Sequence, residues 1–276
     1  MDDLNQIGAA HWTDRSRAWT ATAATGLSTD DSFNRMIVEH AGIGPGERIL
    51  DIGSGTGDPA ITIGVALDGE GSVTACDLTP AMLETARKRA DTVGIANMHF
   101  VAADMAALPY PADSFDAVTC RFGLMFPSDR IAAAKEALRV LRPGGRVAYV
   151  VWGPYEENPP FFVLKRAVLA VSGGTEGPPP QRHSLGRPGQ LSGILAAAGF
   201  ADIEERELRY RRPVEDLDDY IDRGLRRGYP DMIADMDSAA RLALLARLRE
   251  AFEPWRDGGI VYMPNCARLG MGRKAG

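Results

Sequence analysis

The residues best placed to do chemistry are Gly53, Gly55 and Gly57, with Asp51 before them and Asp58 after them, in the run Ile-Leu-Asp-Ile-Gly-Ser-Gly-Thr-Gly-Asp at positions 49–58. Glycines lack a Cβ, so the chain can turn sharply there and a ligand can lie against backbone N–H groups. A pyrophosphate would sit at the start of the next helix, where Asp58 stands. Carboxylates at 51 and 58 disfavour that anion and favour a ligand with positive charge. The third glycine of G-x-G-x-x-G is missing, and so is the Lys-Ser/Thr pair of a phosphate-cradling loop. S-adenosylmethionine, with an ammonium and a sulfonium, suits this turn better than a nicotinamide dinucleotide. Asp58 is also predicted as a helix N-cap, with Pro59 as the first helical residue.

Two further aspartates follow in order. Asp77, 20 residues after Gly57, closes a second apolar run and is placed to accept hydrogen bonds from both hydroxyls of a ribose. Asp104 closes a third, placed to accept from an adenine amino group, with the Met105 N–H reaching a ring nitrogen. Methyl transfer from a sulfonium is an in-line displacement, so alignment and exclusion of water supply most of the catalysis. A base is needed only for an acceptor that must lose a proton. Of the four histidines, His99 lies inside a strand, His40 ends a helix where a cation suits the dipole, and His11 sits in the N-terminal segment. His183, between a proline run and the next helix, is the candidate base. Trp152, Tyr155, Phe161 and Phe162 are candidates to hold a flat or prenylated acceptor, and Trp19 with Trp12 to cover it as a lid.

These residues need a scaffold that brings strand ends together. Apolar runs at 49–52, 72–76, 98–103, 115–120 and 146–152 read as strands, separated by helices at about 59–67, from Pro80 with an apolar stripe through Ala90, and at 129–141. That alternation implies βαβ units and a parallel sheet, with the ligand across the carboxyl ends of the strands. In the helices, Ile61, Val65 and Ala66, then Ile131, Ala134, Leu138 and Leu141, and later Leu242, Leu245, Leu248 and Phe252 are expected to face inward. Thr79 is expected to cap the second of them ahead of Pro80. Residues 32–41 form a helix before the first strand. Beyond Gly153 the texture turns Pro- and Gly-rich, with helices at about 160–171 and 191–198, a strand near 200–210, two helices within 215–253, and a last strand from about 265 to 273. The expected organisation is a helical lid at 1–31, a cofactor-binding core at 32–152, an acceptor-binding cap at 153–262 that includes the strand near 200–210, and a final core strand within 263–276.

The segments Ile-Leu-Asp-Ile-Gly-Ser-Gly-Thr-Gly-Asp, Ala-Cys-Asp-Leu-Thr-Pro-Ala-Met-Leu, Ala-Ala-Asp-Met and Pro-Tyr-Pro-Ala-Asp-Ser-Phe-Asp-Ala-Val occur in that order. Together with Cys-Arg-Phe-Gly-Leu-Met-Phe and Val-Leu-Arg-Pro-Gly-Gly-Arg, they resemble the class I S-adenosylmethionine-dependent methyltransferases, and within them the ubiquinone/menaquinone C-methyltransferase-like (type 11) group. The resemblance covers about residues 44–152. It implies a Rossmann-like, doubly wound α/β sheet of seven strands, the last antiparallel. It also implies that Gly53, Ser54 and Gly55 line the methionine part of the cofactor, with Asp51 beside them. Asp77 would hold the ribose and Leu78 the adenine, with Asp104 and Met105 reading the adenine and Cys120 and Arg121 near the methionine carboxylate and the methyl group. The chain departs from this pattern in 153–262, where acceptor pockets are built, which leaves menaquinone as acceptor open.

The bulk numbers agree with an ordinary globular enzyme: 276 residues, 45% hydrophobic and 25% charged. A net charge of −6 without a basic stripe gives no reason to expect nucleic acid. The Arg- and Glu-rich stretch at 205–212 reads as a solvated face. Cys76, Cys120 and Cys266 lack metal-ligand spacing and read as small buried residues. No run of about 18 apolar residues exists to span a membrane, and the start, Met-Asp-Asp-Leu-Asn-Gln, is not a signal peptide, so a cytoplasmic protein is expected. The reading is a methyltransferase acting on O, C or N of an apolar or aromatic small molecule in specialised biosynthesis, with a homodimer left open. Its rivals are a relative that keeps the cofactor without methylating, such as a cyclase, and a nicotinamide oxidoreductase.

Overall fold

The structure, a computed structural model, describes Trp12, Ser16, Arg17, residues 19–21, Ala23, residues 32–234 and residues 236–276. Most of the expected lid, His11 included, lies outside the described residues. Helix α1 (Ser32–Ala41) leads into β1 (Arg48–Ile52), α2 (Ala60–Ala66), β2 (Ser72–Asp77), α3 (Pro80–Thr92), β3 (Met98–Ala102) and β4 (Phe115–Arg121). Helix α4 (Arg130–Val140), β5 (Leu141–Trp152), α5 (Pro159–Ser172), α6 (Gln190–Ala198) and β6 (Ala201–Val214) follow. Then come α7 (Leu217–Gly228), α8 (Pro230–Ala234), α9 (Ser238–Phe252), the short β7 (Arg256–Asp257) and β8 (Ile260–Arg273).

The strands form one sheet in the order β3-β2-β1-β4-β5-β8-β6, with β7 paired to β8. Strand β1 pairs parallel with β2 on one side and β4 on the other, so strand order reverses at β1. The crevice outside the carboxyl ends of β1 and β4 is where an α/β sheet of this type takes its ligand. Strand β8 is antiparallel to both β5 and β6. This is the Rossmann-like α/β sheet with an antiparallel last strand, with β7 as a short addition.

Both faces of the sheet are covered, which is why β1 reads as an almost unbroken apolar run. Ile49 faces a cluster with Ile37, Ile61, Ile63 and Ala148, while Leu50 and Ile52 face another with Val118, Leu141 and Leu191. A third cluster lies beyond the sheet, built from Leu164 and Val168 of α5, Ile221 of α7 and Leu244, Leu248 and Phe252 of α9. It packs on Val214, Val261 and Met263, where β6 and β8 run past the other strands as a ribbon. That ribbon makes β6 end at Val214 rather than near 210, and starts β8 at Ile260.

Some expected details change. Residues 215–253 hold three helices rather than two. Val65, Ile131 and Leu242 are 49%, 39% and 67% exposed. The other expected members Ile61, Ala134, Leu248 and Phe252 are buried, and Ile63, Leu67, Ala137, Val140 and Leu244 beside them fill the core in place of the exposed three. Thr79 does precede Pro80 at the start of α3, but its side chain makes no capping hydrogen bond.

Candidate functional site

The glycine turn after β1 takes the shape that its residues demand. Gly53, Gly55 and Gly57 have φ of +67°, +52° and +106°, a region that costs side-chain-bearing residues energy. At Gly57 a Cβ would also come within 2.7 Å of Ile61 Cδ1. Ser54 stitches the turn to the sheet: its N–H donates to Cys76 O (3.0 Å), its hydroxyl donates to Asp51 O (2.7 Å) and accepts from Cys76 N (3.0 Å). Its hydroxyl and its N–H are therefore both committed to the sheet.

Asp77, at the end of β2, accepts from Gly55 N and from Thr79 N, both at 2.8 Å. Burial pushes its carboxyl up, against the pull of those two amides. Leu78, the next residue, is 39% exposed. Asp104 accepts from Ala106 N at 2.9 Å, ordering the turn after β3. Across the crevice, Cβ atoms built on Gly53 and Gly123 would each meet Met105 Cε, at 3.4 and 3.5 Å. Cys120 lies fully buried beneath that contact, its thiol pushed up to about 12 by burial and the nearby Asp51. Cys120 therefore supports the crevice floor from inside; it does not line the crevice.

Asp51 and Asp58 have different situations. Asp51 is completely buried; its Oδ1 accepts from the Thr119 hydroxyl at 2.7 Å, and its Oδ2 has no hydrogen-bond partner. Burial raises its carboxyl to about 7. Asp58 is not a helix cap. Pro59 precedes α2 without a side-chain capping bond, and Asp58 instead accepts from Asn34 (3.1 Å) and Arg89 (3.1 Å), with Arg121 at 3.8 Å. Burial would push its carboxyl up, but Arg121 and Arg89 outweigh that and hold it low. Its charge is thus spent on two guanidiniums. Asp58 faces guanidiniums of the protein itself, whereas Asp51 Oδ2 has no hydrogen-bond partner. Arg89 also donates to Thr56 O, a short contact that pins the turn from α3.

Beyond Arg121 an aromatic series begins. Phe122 has φ +58°, unusual for a bulky residue, and its N–H donates to Val150 O at 2.7 Å. Its ring stacks flat on Trp152, 3.9 Å between centroids and 2° between planes. Phe33 of α1 meets both rings edge-on, at 5.5 and 5.8 Å. Phe161 follows Trp152 at 4.9 Å, His183 follows Phe161 at 5.0 Å, and Tyr155 is 5.2 Å from His183. Past Tyr155 opens a cavity of about 350 Å³ lined by Tyr155, Glu156, Phe162, Arg166, Glu176 and Pro179. His183 is 8% exposed; its Nδ1 lies 2.9 Å from Gly153 O, and its Nε2 is buried with no hydrogen-bond partner. Burial lowers its pKa to about 4, so the ring is neutral at pH 7.

The described part of the N-terminal segment reaches both walls of the crevice. Trp12 packs edge-on against Phe126 at 4.7 Å, and the Thr85 hydroxyl of α3 donates to Thr20 at 3.3 Å. Trp19 is 37% exposed. Sequence reasoning missed Asn34, Phe33, Arg89 and Phe122. Each contributes only through a distant partner; the Phe-Gly pair at 122–123, where the chain must turn tightly, was the available signal. One metal-like grouping exists among the described residues, Glu157, Glu207 and Cys266, but Arg209 pairs with both carboxylates, at 2.5 Å to Glu207 and in a short contact to Glu157.

A family model, the ubiE/COQ5 methyltransferase family, matches residues 23–159. The ubiquinone/menaquinone biosynthesis C-methyltransferase UbiE of Shewanella woodyi is 38% identical over 184 residues, 62% of this chain and 73% of that protein. The chain belongs to this methyltransferase family. The cofactor of this methyltransferase is therefore S-adenosylmethionine, and the nicotinamide alternative falls. The UbiE of Edwardsiella ictaluri is 33% identical over 141 residues, 51% of this chain and 55% of that protein, so the likeness spans between about half and three quarters of these relatives. The YcgJ protein of Bacillus subtilis has the same fold, with a TM-score of 0.56 at 22% identity over 88% of this chain and 98% of that one. Among the described residues, no helix is long and apolar enough to cross a membrane.

The residues present fit this cofactor. The glycine turn carries three residues at positive φ, where side chains are disfavoured, Asp77 offers a carboxylate at the end of β2, and Asp51 Oδ2 is a buried carboxylate oxygen without a hydrogen-bond partner.

Proposed function

We propose that this methyltransferase moves the methyl group to an O, C or N atom of an apolar or aromatic small molecule. The observation that carries this is the Phe122–Trp152 stack, continued by Phe33, Phe161, His183 and Tyr155 away from the glycine turn. When bound, S-adenosylmethionine supplies an electrophilic methyl on a sulfonium. In this reading Asp77 binds the ribose, with Leu78 and Met105 against the adenine and Asp104 facing its amino group. Asp51 and the backbone of Gly53, Ser54 and Gly55 hold the methionine end. Arg121, oriented by Asp58, faces the methionine carboxylate. The aromatic series excludes water and presents the acceptor in line, with Trp152 and Tyr155 along its length and Trp19 over it.

His183 enters as a neutral group. With Nδ1–H donated to Gly153 O, its Nε2 lone pair can accept a hydrogen bond from the acceptor. As a general base it is weak, because burial has already taken its pKa to about 4. That favours acceptors whose proton is lost easily or after transfer.

The relatives' names indicate a quinone as one acceptor class, and a flat ring of that kind suits the stack. The elements after residue 159, outside the family match, support a different acceptor from specialised biosynthesis, in a protein located in the cytoplasm. Purified protein incubated with methyl-labelled S-adenosylmethionine, a demethylated quinol and a panel of aromatic metabolites separates these. Label in a metabolite, with an equal amount of S-adenosylhomocysteine, supports the reading; label in the quinol alone makes it a quinone methyltransferase. Cofactor binding with no S-adenosylhomocysteine formed from any acceptor would overturn methyl transfer.

A further inference from the structure

At the end of the sheet, β6 has β8 on one side and no strand on the other among the described residues. Its charges are sorted along its length. Asp202, Glu204, Glu205 and Glu207 occupy the first half, and Arg209, Arg211 and Arg212 the second, with Arg206 the exception. Such a strand is nearly its own electrostatic complement when a copy runs beside it in the opposite direction. Residues facing each other across a two-fold axis normal to the sheet share a face, which limits the registers available.

Only one of these avoids opposing like charges. Centred on Leu208, it sets Glu207 against Arg209, Arg206 against Tyr210, Glu205 against Arg211 and Glu204 against Arg212. Centred on Glu207 or Arg209, that residue meets its own copy. Centred on Tyr210, Arg209 meets Arg211. Opposite charges directly across a strand pair are favourable and like charges unfavourable, so the pattern selects its register.

The side chains are available for this. Residues Glu204, Arg206, Glu207, Arg209, Arg211 and Arg212 are all exposed. Glu204 pairs only with its neighbour Arg206, both about half exposed. Arg211 lies over the Tyr262 ring at 5.2 Å, and Arg212 makes no ion pair among the described residues. Glu205 is less available, since it accepts from Gly189 N and Ser192 N at the start of α6 and lies 3.6 Å from Arg268. Arg209 already pairs with Glu207 and Glu157, and Glu207 with Arg268. The junction therefore rests on Glu204–Arg212, made twice, with the already paired Glu207 and Arg209 of the two copies adjoining at the axis.

We propose that β6 is the seam of a symmetric homodimer, in which a second copy of this chain continues the sheet through antiparallel β6–β6 pairing centred on Leu208. Charged edge strands also serve to prevent pairing, and the two roles predict opposite results. Sedimentation of the full chain over a concentration range of about a hundredfold should show a monomer–dimer equilibrium that added salt weakens. Arg212→Glu should weaken the dimer by about tenfold or more, a loss of ~1.4 kcal/mol. Glu204→Arg alone should do the same, and the double variant Glu204→Arg/Arg212→Glu should recover the dimer, because the swapped charges again face each other. A wild-type chain monomeric throughout the range, a dimer indifferent to Arg212→Glu, or a double variant no better than the single ones would each overturn the proposal.

Discussion

At the residue scale, the cofactor crevice works by sharing out its carboxylates. Asp58 is paired with Arg89 and Arg121, Asp104 Oδ1 accepts from Ala106 N, and Asp77 stands at the end of β2 with both oxygens held by amides. Those amides belong to the glycine turn and to the start of α3, so Asp77 ties the two together, and in the proposed reading it also offers charge to a ribose. Asp77→Ala should therefore weaken S-adenosylmethionine binding at least about tenfold, ~1.4 kcal/mol or more, as read by calorimetry. Asp77→Asn, which keeps one acceptor oxygen and the shape, should lose less. Equal and unchanged affinities in both variants would remove the ribose assignment.

At the element scale, α1 braces the glycine turn from outside. Asn34 of α1 donates to Asp58 at 3.1 Å and to Thr62 at 3.2 Å, tying the helix to the turn and to α2. Phe33 closes against the Phe122–Trp152 stack. Arg146 of β5 donates to Gly42 O (2.8 Å) and pairs with Glu47 (2.7 Å), fixing the far end of α1 independently of residues 1–31. The preceding segment touches the body through Trp12 on Phe126 and Thr20 beside Thr85, on opposite sides of the glycine turn. Removing residues 1–28 should leave helix and strand content unchanged by circular dichroism while raising the dissociation constant of the cofactor several-fold. Unchanged affinity in a folded truncation would mean that Trp12 and Trp19 only pack.

At the scale of the whole molecule, what could be read from the sequence divides by the distance over which residues cooperate. The β1-turn-α2 unit, the strand-end aspartates and the alternation of strands and helices are local, and positions 48–152 were legible from their spacing. The inner faces of α2, α4 and α9 were legible through Ile61, Ala134, Leu248 and Phe252, while Val65, Ile131 and Leu242 at the edges of those stripes turned out exposed, since packing decides how wide a stripe is buried. The site's ion network was invisible, since Asn34, Asp58, Arg89 and Arg121 come from four separate places in the chain. Two buried titrating groups, one in the core and one behind the aromatic series, give this division a measurable consequence. Asp51, raised to about 7, binds its proton more tightly when folded, so it lowers stability as pH rises from about 4 to 7 and costs its full amount above that. His183, lowered to about 4, binds its proton less tightly when folded, so stability falls as pH drops from about 6.5 to 4. The two slopes oppose each other over nearly the same window. Asp51→Asn should tilt the profile so that its stability relative to wild type grows from pH 4 to 7. His183→Gln should tilt it the other way. Each tilt is of order 2–4 kcal/mol, since one pKa unit corresponds to about 1.4 kcal/mol. Urea unfolding of the three proteins across that pH range measures both, and parallel profiles would show that neither group is held as the structure places it.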